Sequence, residues 1–149
     1  MMKSVLLIQL VLLPMLVSAQ VSQGSLQFLS DVHREISGLL DAYLEGIPEC
    51  PPRADTPIRL WVIDLAWLRA EAALEELRVF DPAQLPVPDS VWNGYLQAAQ
   101  SYFATFTRLQ QLYHASALPD SSACILMENS IITADSIWQL RETDLYQSL

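Results

Sequence analysis

Apolar residues recur at spacings of three and four along four stretches of the chain, and proline-rich segments separate these stretches. Residues at these spacings share one face of an α-helix, so the pattern predicts four amphipathic helices. The first helix is expected from about Ser25 to Leu44, with Gly46 in the left-handed position just past its end. Its apolar face consists of Leu29, Val32, Ile36, Leu39, Leu40 and Tyr43.

The second helix is expected from Pro57 to Phe80, with Thr56 as its N-cap, because proline suits the first turn of a helix. This helix has two apolar faces and a narrow polar stripe. One face comprises Leu60, Ile63, Trp67, Leu74 and Leu77, the other comprises Trp61, Leu65, Leu68 and Ala72, and the stripe comprises Asp64, Glu71, Glu75 and Arg78.

A helix with two apolar faces needs two neighbours, and we expect neighbouring helices to cover both faces. The alternative is that the second face is left uncovered. In that case Trp61, Leu65 and Leu68 are predicted to form a contact patch for a second copy or for another protein, with the tryptophan as the anchor.

The third helix has the most regular pattern. Residues 81–89 are expected to form an extended linker, after which Asp89 or Ser90 caps the helix and Pro119 closes it. Seven apolar residues alternate in steps of three and four, namely Trp92, Tyr95, Ala99, Tyr102, Phe106, Leu109 and Tyr113, and Leu96, Phe103 and Leu112 flank them. A repeat of about 3.5 residues predicts left-handed bundle packing.

The fourth helix is expected to begin after a cap at Asp120 or Ser121 and to continue to near the C-terminus. Its predicted inward face is Met127, Ile131, Ala134, Trp138 and Leu145. Short connectors make consecutive helices antiparallel neighbours, so the predicted fold class is all-α, a four-helix bundle with up-down-up-down topology. The alternative is a cytokine-type bundle with long crossover connections. The predicted core includes Ile36, Leu40, Trp67, Ala99, Phe106, Ile131 and Trp138.

The N-terminal residues have the composition of a signal peptide, with a positive charge at Lys3, an apolar run from 5 to 17 and small residues before Gln20. We therefore assign residues 1–19 to a signal peptide and residues 20–149 to a single domain. A retained membrane anchor is the alternative, but the run is shorter than the roughly 20 residues that a spanning helix needs. The predicted localisation is secreted or periplasmic, with no membrane span after cleavage.

Two cysteines in an exported chain are expected to be oxidised to a disulfide. In an up-down-up-down bundle the connector between helices one and two lies at the same end as the connector between helices three and four. Cys50 lies in the first connector and Cys124 at the start of the fourth helix. The topology therefore predicts one bond between Cys50 and Cys124.

The chain is acidic, with 17 aspartate and glutamate residues against 8 lysine and arginine residues and a net charge of -9. Lys3 is the only lysine, and it leaves with the signal peptide. This charge argues against nucleic acid or anionic lipid as partners, because both require a positive surface. It is compatible with a basic protein partner, although acidic side chains also keep an apolar-rich domain in solution.

Motifs for catalysis or cofactor binding are absent from the sequence. Neither His33 nor His114 belongs to a Glu-x-x-His pair, and there is no C-x-x-C, no G-x-S-x-G and no glycine-rich phosphate loop. Glu71 and Glu75 lie one helical turn apart, a spacing suited to acid-base work but more often found in a solvated stripe with a counter-charge such as Arg78. We therefore predict no enzymatic activity, no cofactor and no metal.

The function predicted from the sequence is that of a secreted or periplasmic protein-interaction module, such as an inhibitor or immunity protein for a basic partner. Two other functions are compatible with the same fold, a cytokine-like secreted signal and a carrier of a small apolar ligand. The partner is expected to be another protein or a second copy of the chain.

Overall fold

The computed structural model describes residues 21–115 and 118–149, so the predicted signal peptide lies outside the described residues. The described residues form four α-helices, α1 (Gln23–Gly46), α2 (Leu60–Val79), α3 (Asp89–His114) and α4 (Ser121–Ser148), and one 3-10 turn (Pro82–Gln84), with no strand among them. The predicted all-α class and four-helix bundle are confirmed.

The helices pack most extensively in consecutive pairs, α1 on α2 and α3 on α4, and α2 also packs on α3. Large side chains connect α4 back to α1. The indole N–H of Trp138 donates to the Ser37 hydroxyl at 2.9 Å, and the ring of His33 stacks on that of Trp138 with centroids 4.7 Å apart. The bundle therefore encloses one core that all four helices contribute to.

The residues of the regular apolar pattern in α3 form the buried face of that helix. All seven residues of the predicted seam are buried, and the three flanking residues are half-buried against the same core. On α4, the predicted inward residues Met127, Ile131, Trp138 and Leu145 are buried and Ala134 is half-buried. The heptad pattern is confirmed because each step of three or four returns the chain to the inside of the bundle.

Five of the seven predicted core residues are buried, and two lie at its edge. Leu40 is half-buried beside the groove between α1 and α4. Trp67 is half-buried between α2 and α3, where its indole N–H donates to the Thr107 hydroxyl at 2.8 Å and its ring packs on Phe103 with centroids 5.3 Å apart. Leu40 and Trp67 lie at the edge of the core and not at its centre, because the buried side of each helix is narrower than the stripe of apolar residues in its sequence.

The disulfide between Cys50 and Cys124 connects the α1–α2 connector to the first turn of α4, with the two Cα atoms 5.6 Å apart. Cys124 is buried, and the hydroxyl of Tyr113 on α3 lies 3.6 Å from the sulfur of Cys50. The bond therefore joins the α1–α2 connector to the start of α4 at one end of the bundle, as the topology predicts.

The first and fourth helices begin with side-chain caps. The hydroxyl of Ser22 accepts the backbone N–H of Ser25 at 3.1 Å, so α1 starts two residues before its predicted position at Ser25. On α4, a carboxylate oxygen of Asp120 accepts the backbone N–H of Ala123 at 2.8 Å. Asp120 is thus the predicted cap, and each of these side chains satisfies an N–H that the helix leaves without a partner.

The start of α2 was predicted wrongly. The helix begins at Leu60 and not at Pro57, with Arg59 in the N-cap position and no side-chain cap from any described residue. Thr56, the predicted cap, donates its hydroxyl to a carboxylate oxygen of Glu49 at 3.5 Å instead. The connector contains a turn in which the backbone N–H of Thr56 donates to the carbonyl of Arg53 at 3.1 Å, so the chain enters the helix only at Leu60.

The connector before α3 is also more ordered than an extended linker. Asp81 accepts the backbone N–H of Ala83 at 3.0 Å at the start of the 3-10 turn, and Leu85 is buried in the core. Pro88 occupies the N-cap position of α3, so neither Asp89 nor Ser90 is the cap. Asp89 instead lies in the first turn, where a carboxylate interacts favourably with the helix dipole.

Gly46 has a different role from the predicted one. It is the last residue of α1, and no described glycine has a positive φ angle. A Cβ atom at this position would lie 2.9 Å from the carbonyl oxygen of Arg59 and 2.9 Å from a side-chain carbon of Ile63. The backbone N–H of Arg59 also donates to the carbonyl of Gly46 at 2.8 Å. Glycine is required here because α1 and the start of α2 approach each other closely.

Substituting Gly46→Ala is therefore expected to lower the free energy of unfolding by about 1 to 3 kcal/mol, because the backbone must move to admit the methyl group. Gly38→Ala is the matched control on the same helix, since a Cβ there meets no atom of the described residues within 4 Å. Alanine at position 38 should stabilise the protein by about 0.5 to 1 kcal/mol. Urea denaturation of both variants measures the two effects, and equal signs would contradict the close approach.

Candidate protein-binding surface

The second apolar face of α2 is not covered. Trp61, Leu65 and Leu68 are 65%, 44% and 57% exposed, and Ala72 continues the same face. The expectation that neighbouring helices cover both faces of α2 is therefore wrong. The reason is that α2 contacts α1 on one side and α3 on the other, and no further helix of the described residues lies across its outward side. Trp61, Leu65 and Leu68 are called the α2 patch below.

A groove between α1 and α2 adjoins this patch. Its volume is about 330 Å³, and it is lined by Trp61 and Leu65 from α2 and by Glu35, Asp41 and Glu45 from α1. Small residues form its floor, namely Gly38, Ala42 and Ala66. The groove therefore offers a place for a partner side chain beside an exposed tryptophan, with carboxylates along one edge.

The polar stripe of α2 forms the other border of the patch. Arg78 is ion-paired with Glu75, so the predicted counter-charge is present and the stripe is a solvated one. Asp64 points towards α3, where it accepts hydrogen bonds from Gln110 at 2.6 Å and His114 at 2.9 Å. Desolvation alone would raise the pKa of Asp64, but these two hydrogen bonds outweigh it and lower the pKa. Asp64 therefore remains a carboxylate at neutral pH.

Cations near the α1 edge only partly offset its negative charge. Glu45 lies 3.6 Å from Arg59, and Glu35 lies 3.7 Å from Arg34. Arg69 also lines the groove. These pairs are between largely exposed side chains, which contribute little energy and can exchange partners. The groove thus retains carboxylates that a basic partner can contact.

The polar cluster around His33 has a structural role and not a catalytic one. Its Nε2 atom lies 2.9 Å from Glu142 and 3.1 Å from the hydroxyl of Ser37, and its ring stacks on Trp138. Burial lowers the pKa of His33 to about 4 and raises the pKa of Glu142. The serine and the carboxylate contact the same ring nitrogen, whereas a hydrolytic triad requires them on opposite nitrogens. The cluster therefore ties α1 to α4.

A second exposed apolar surface lies on α4, and the sequence interpretation missed it. Ile125, Leu126, Ile132, Ile137 and Leu140 are all exposed, although they belong to a helix whose inward face is already well packed. The available signal was that apolar residues occur on every side of α4, which is typical of a helix that is covered all round.

The groove between α3 and α4 lies beside this surface. Its volume is about 430 Å³, and its lining consists of Ala98, Ser101, Thr105, Leu126, Asn129, Ser130, Thr133, Ala134 and Ile137. None of these described lining residues is charged. In an acidic chain this makes the α3–α4 side different from the carboxylate-lined groove beside the α2 patch.

Neither a metal site nor a membrane helix is seen in the part of the chain that the structure describes. Residues 21–115 and 118–149 contain no group of three histidine, cysteine, aspartate or glutamate side chains placed to hold a metal ion. Among the helices described, none is both long enough and apolar enough to cross a bilayer. Comparisons of the chain with protein-family models, with curated proteins and with solved structures found no match. Its function is therefore inferred from its own surfaces.

Proposed function

We propose that this protein is a secreted or periplasmic interaction module that binds a basic protein through the α2 patch and the carboxylates around it. It acts by binding and not by catalysis. An inhibitor or immunity protein for a basic enzyme has this combination of an exposed anchor and an acidic border. The disulfide supports an oxidising compartment, since such bonds persist mainly in exported proteins.

The observation that carries the proposal is the exposure of Trp61. A tryptophan that is 65% exposed leaves a large apolar area in water, and here it adjoins two further exposed leucines. Tryptophan is the residue type most enriched among those that dominate binding energy, and its ring provides a rigid contact area at a small entropic cost. The α2 patch therefore has the composition of the centre of an interface.

The charge around the patch selects the class of partner. Glu35, Asp41 and Glu45 lie on the α1 side, and the stripe that includes Glu71 and Glu75 lies on the other. Two copies of the chain meeting here would bring carboxylates against carboxylates, which costs free energy. A basic partner gains from the same arrangement, both in its rate of association and in its orientation.

The test is the substitution Trp61→Ala. A basic protein captured by the wild-type chain from its natural source is expected to bind this variant at least about 30-fold more weakly, the loss typical of an interface anchor. The free energy of unfolding should change by only about 0.5 kcal/mol, because the side chain is mostly exposed. Capture with mass spectrometry identifies the partner, and titration calorimetry at two salt concentrations measures the affinity and its screening.

Ile132→Ala provides the control, because Ile132 is as exposed as Trp61 but lies on α4. It should leave the affinity for the partner unchanged. Two results would refute the proposal. One is a captured partner that is acidic or binds more tightly at high salt, and the other is a Trp61→Ala variant that binds normally.

A further inference from the structure

A groove between α1 and α4 lies at the disulfide end of the bundle, and its volume is about 340 Å³. Its apolar lining includes Tyr43, Leu44, Ile47, Ile131 and Ile132. Cys50 also lines it, and the disulfide to Cys124 holds this part of the α1–α2 connector in place. The groove is therefore a mostly apolar cleft on elements that are fixed relative to one another, as is typical of a pre-formed small-molecule site. It is called the α1–α4 groove below.

Two carboxylates lie along this groove. Glu128 and Asp135 are the only charged side chains among its described lining residues. They are seven residues apart on α4, nearly two helical turns, which separates them by about 10.5 Å along the helix axis. Asp135 accepts a hydrogen bond from the amide of Gln139 at 2.7 Å, but neither carboxylate is ion-paired with an arginine or histidine of the described residues. Ile131 and Ile132 lie between them, so the groove presents two uncompensated negative charges with apolar surface in the middle.

Asp135 also lies near a buried hydroxyl that lacks a partner. Tyr102 on α3 is 1% exposed, and its hydroxyl forms no hydrogen bond with any described residue. Burial raises the pKa of Tyr102, and the nearby charges of Asp135 and Asp41 raise it further. A buried polar group without a partner costs free energy. An ammonium group bound at Asp135 has three N–H donors, enough for the carboxylate and for this hydroxyl.

The spacing of the two carboxylates selects the kind of cation. They are too far apart to share one metal ion, whose oxygen ligands lie within about 2.6 Å of it. In an extended alkyl chain each bond of about 1.5 Å advances the chain by roughly 1.25 Å, so an eight-carbon diamine places its two ammonium groups about 11 Å apart. Its methylene groups would cover Leu44 and Ile132, which are 58% and 63% exposed in the groove. Burial of this apolar surface favours binding.

We propose that the α1–α4 groove binds a linear aliphatic diamine, with one ammonium group at Glu128, the other at Asp135 and the methylene chain over the apolar surface between them. A ligand with a single charge leaves one carboxylate without a counter-charge, and a ligand charged along its whole length places a charge on apolar side chains. The site is separate from the α2 patch, so the proposal does not depend on the basic protein partner.

Titration calorimetry of the purified mature protein at low ionic strength tests the chemistry with three amines. The probe 1,8-diaminooctane, which has the length derived above, is expected to bind with one molecule per chain. Octylamine has the same alkyl chain but one charge, and it should bind about fivefold more weakly, the upper end of what one exposed ion pair contributes.

Spermidine is the matched probe for the middle of the groove. It has about the same length as the eight-carbon diamine, but it carries a third ammonium group between the two terminal ones. This group would lie against Ile131 and Ile132, where no carboxylate of the lining can compensate it, so desolvation should make spermidine the weaker ligand despite its larger charge. Tighter binding of spermidine would mean that a general attraction of cations to an acidic chain is being measured, and it would overturn the proposal.

The variants Asp135→Asn and Glu128→Gln test the two carboxylates. Each should lower the affinity for the eight-carbon diamine about fivefold and leave that for octylamine nearly unchanged, because octylamine can use the remaining carboxylate. Glu128 is exposed, so Glu128→Gln keeps the fold. Asp89→Asn is the matched control, since it makes the same change of charge at an exposed position in the first turn of α3, outside the groove.

The control variant should bind the eight-carbon diamine as the wild type does, and thermal unfolding shows that each variant is folded. Three further results would refute the proposal. The first is a wild type that does not bind the diamine at millimolar concentration. The second is an equal loss of affinity in Asp89→Asn and in the two groove variants, and the third is groove variants that bind the diamine normally.

Discussion

Replacing Phe106 by alanine is expected to lower the free energy of unfolding by about 3 to 5 kcal/mol, the loss found when a large aromatic side chain is removed from a packed core. Phe106 is 1% exposed in the middle of the α3 seam. Its ring centroid lies 4.9 Å from that of Tyr102 and 6.1 Å from that of Tyr43 on α1. The substitution leaves a cavity that these rings can fill only in part. Urea denaturation followed by circular dichroism measures the loss.

Phe103→Ala is the control for this measurement. Phe103 lies on the same helix, but it is half-buried and packs on Trp67 at the edge of the core. Its removal should cost clearly less than removal of Phe106, because water can enter the space it leaves. A loss below about 1 kcal/mol for Phe106→Ala, less than the usual range for a core truncation, would mean that the seam is not the centre of the core.

The α3 seam could be predicted in full because its signal is redundant. Seven residues from Trp92 to Tyr113 repeat one spacing, so an error at a single position would not move the helix or change its buried face. The disulfide was predictable for a related reason. Once four helices alternate in direction, the position of Cys50 in one connector and Cys124 after another leaves them at the same end of the bundle.

The beginning of α2 and the role of Gly46 could not be predicted, because both depend on distant residues. Pro57 suits the first turn of a helix, but α2 begins only at Leu60, with Arg59 in the N-cap position. Gly46 suits a left-handed helix end, yet it is needed because Ile63 and the backbone of Arg59 approach it. The sequence shows which backbone conformations a residue such as Pro57 or Gly46 can adopt. It does not show which distant segment packs against that residue in the fold.

The candidate surfaces were predictable in one case and missed in the other. The α2 patch contains Trp61 and two leucines in a helix rich in charge, so a second apolar face was visible in the sequence. The pattern could not say how many neighbours α2 has, and the expectation that both faces are covered failed for that reason. On α4, polar residues such as Asn129, Thr133 and Ser136 stand between the exposed apolar residues and dilute their signal in the sequence.

Removing the disulfide is expected to have an effect as large as that of Phe106→Ala, through the unfolded state. Cys50 and Cys124 are 74 residues apart in the sequence, and closing a loop of this length restricts the unfolded chain by about 4 to 4.5 kcal/mol in the chain-entropy treatment. Cys50→Ala/Cys124→Ala is the suitable variant, because Cys124 is buried and alanine introduces no hydroxyl there. Reduction of the wild type should give a similar loss.

The origin of the loss can be distinguished by the urea dependence. An unfolded chain without the cross-link exposes more surface, so the double alanine variant should show a steeper dependence of its unfolding free energy on urea. Phe106→Ala removes a contact of the folded state and should leave that slope nearly unchanged. Titration of two free thiols in unfolded, unreduced wild type would show that the bond is not formed. Equal stability of the oxidised and reduced protein would contradict the prediction, because it would show that the cross-link does not restrict the unfolded chain enough to matter.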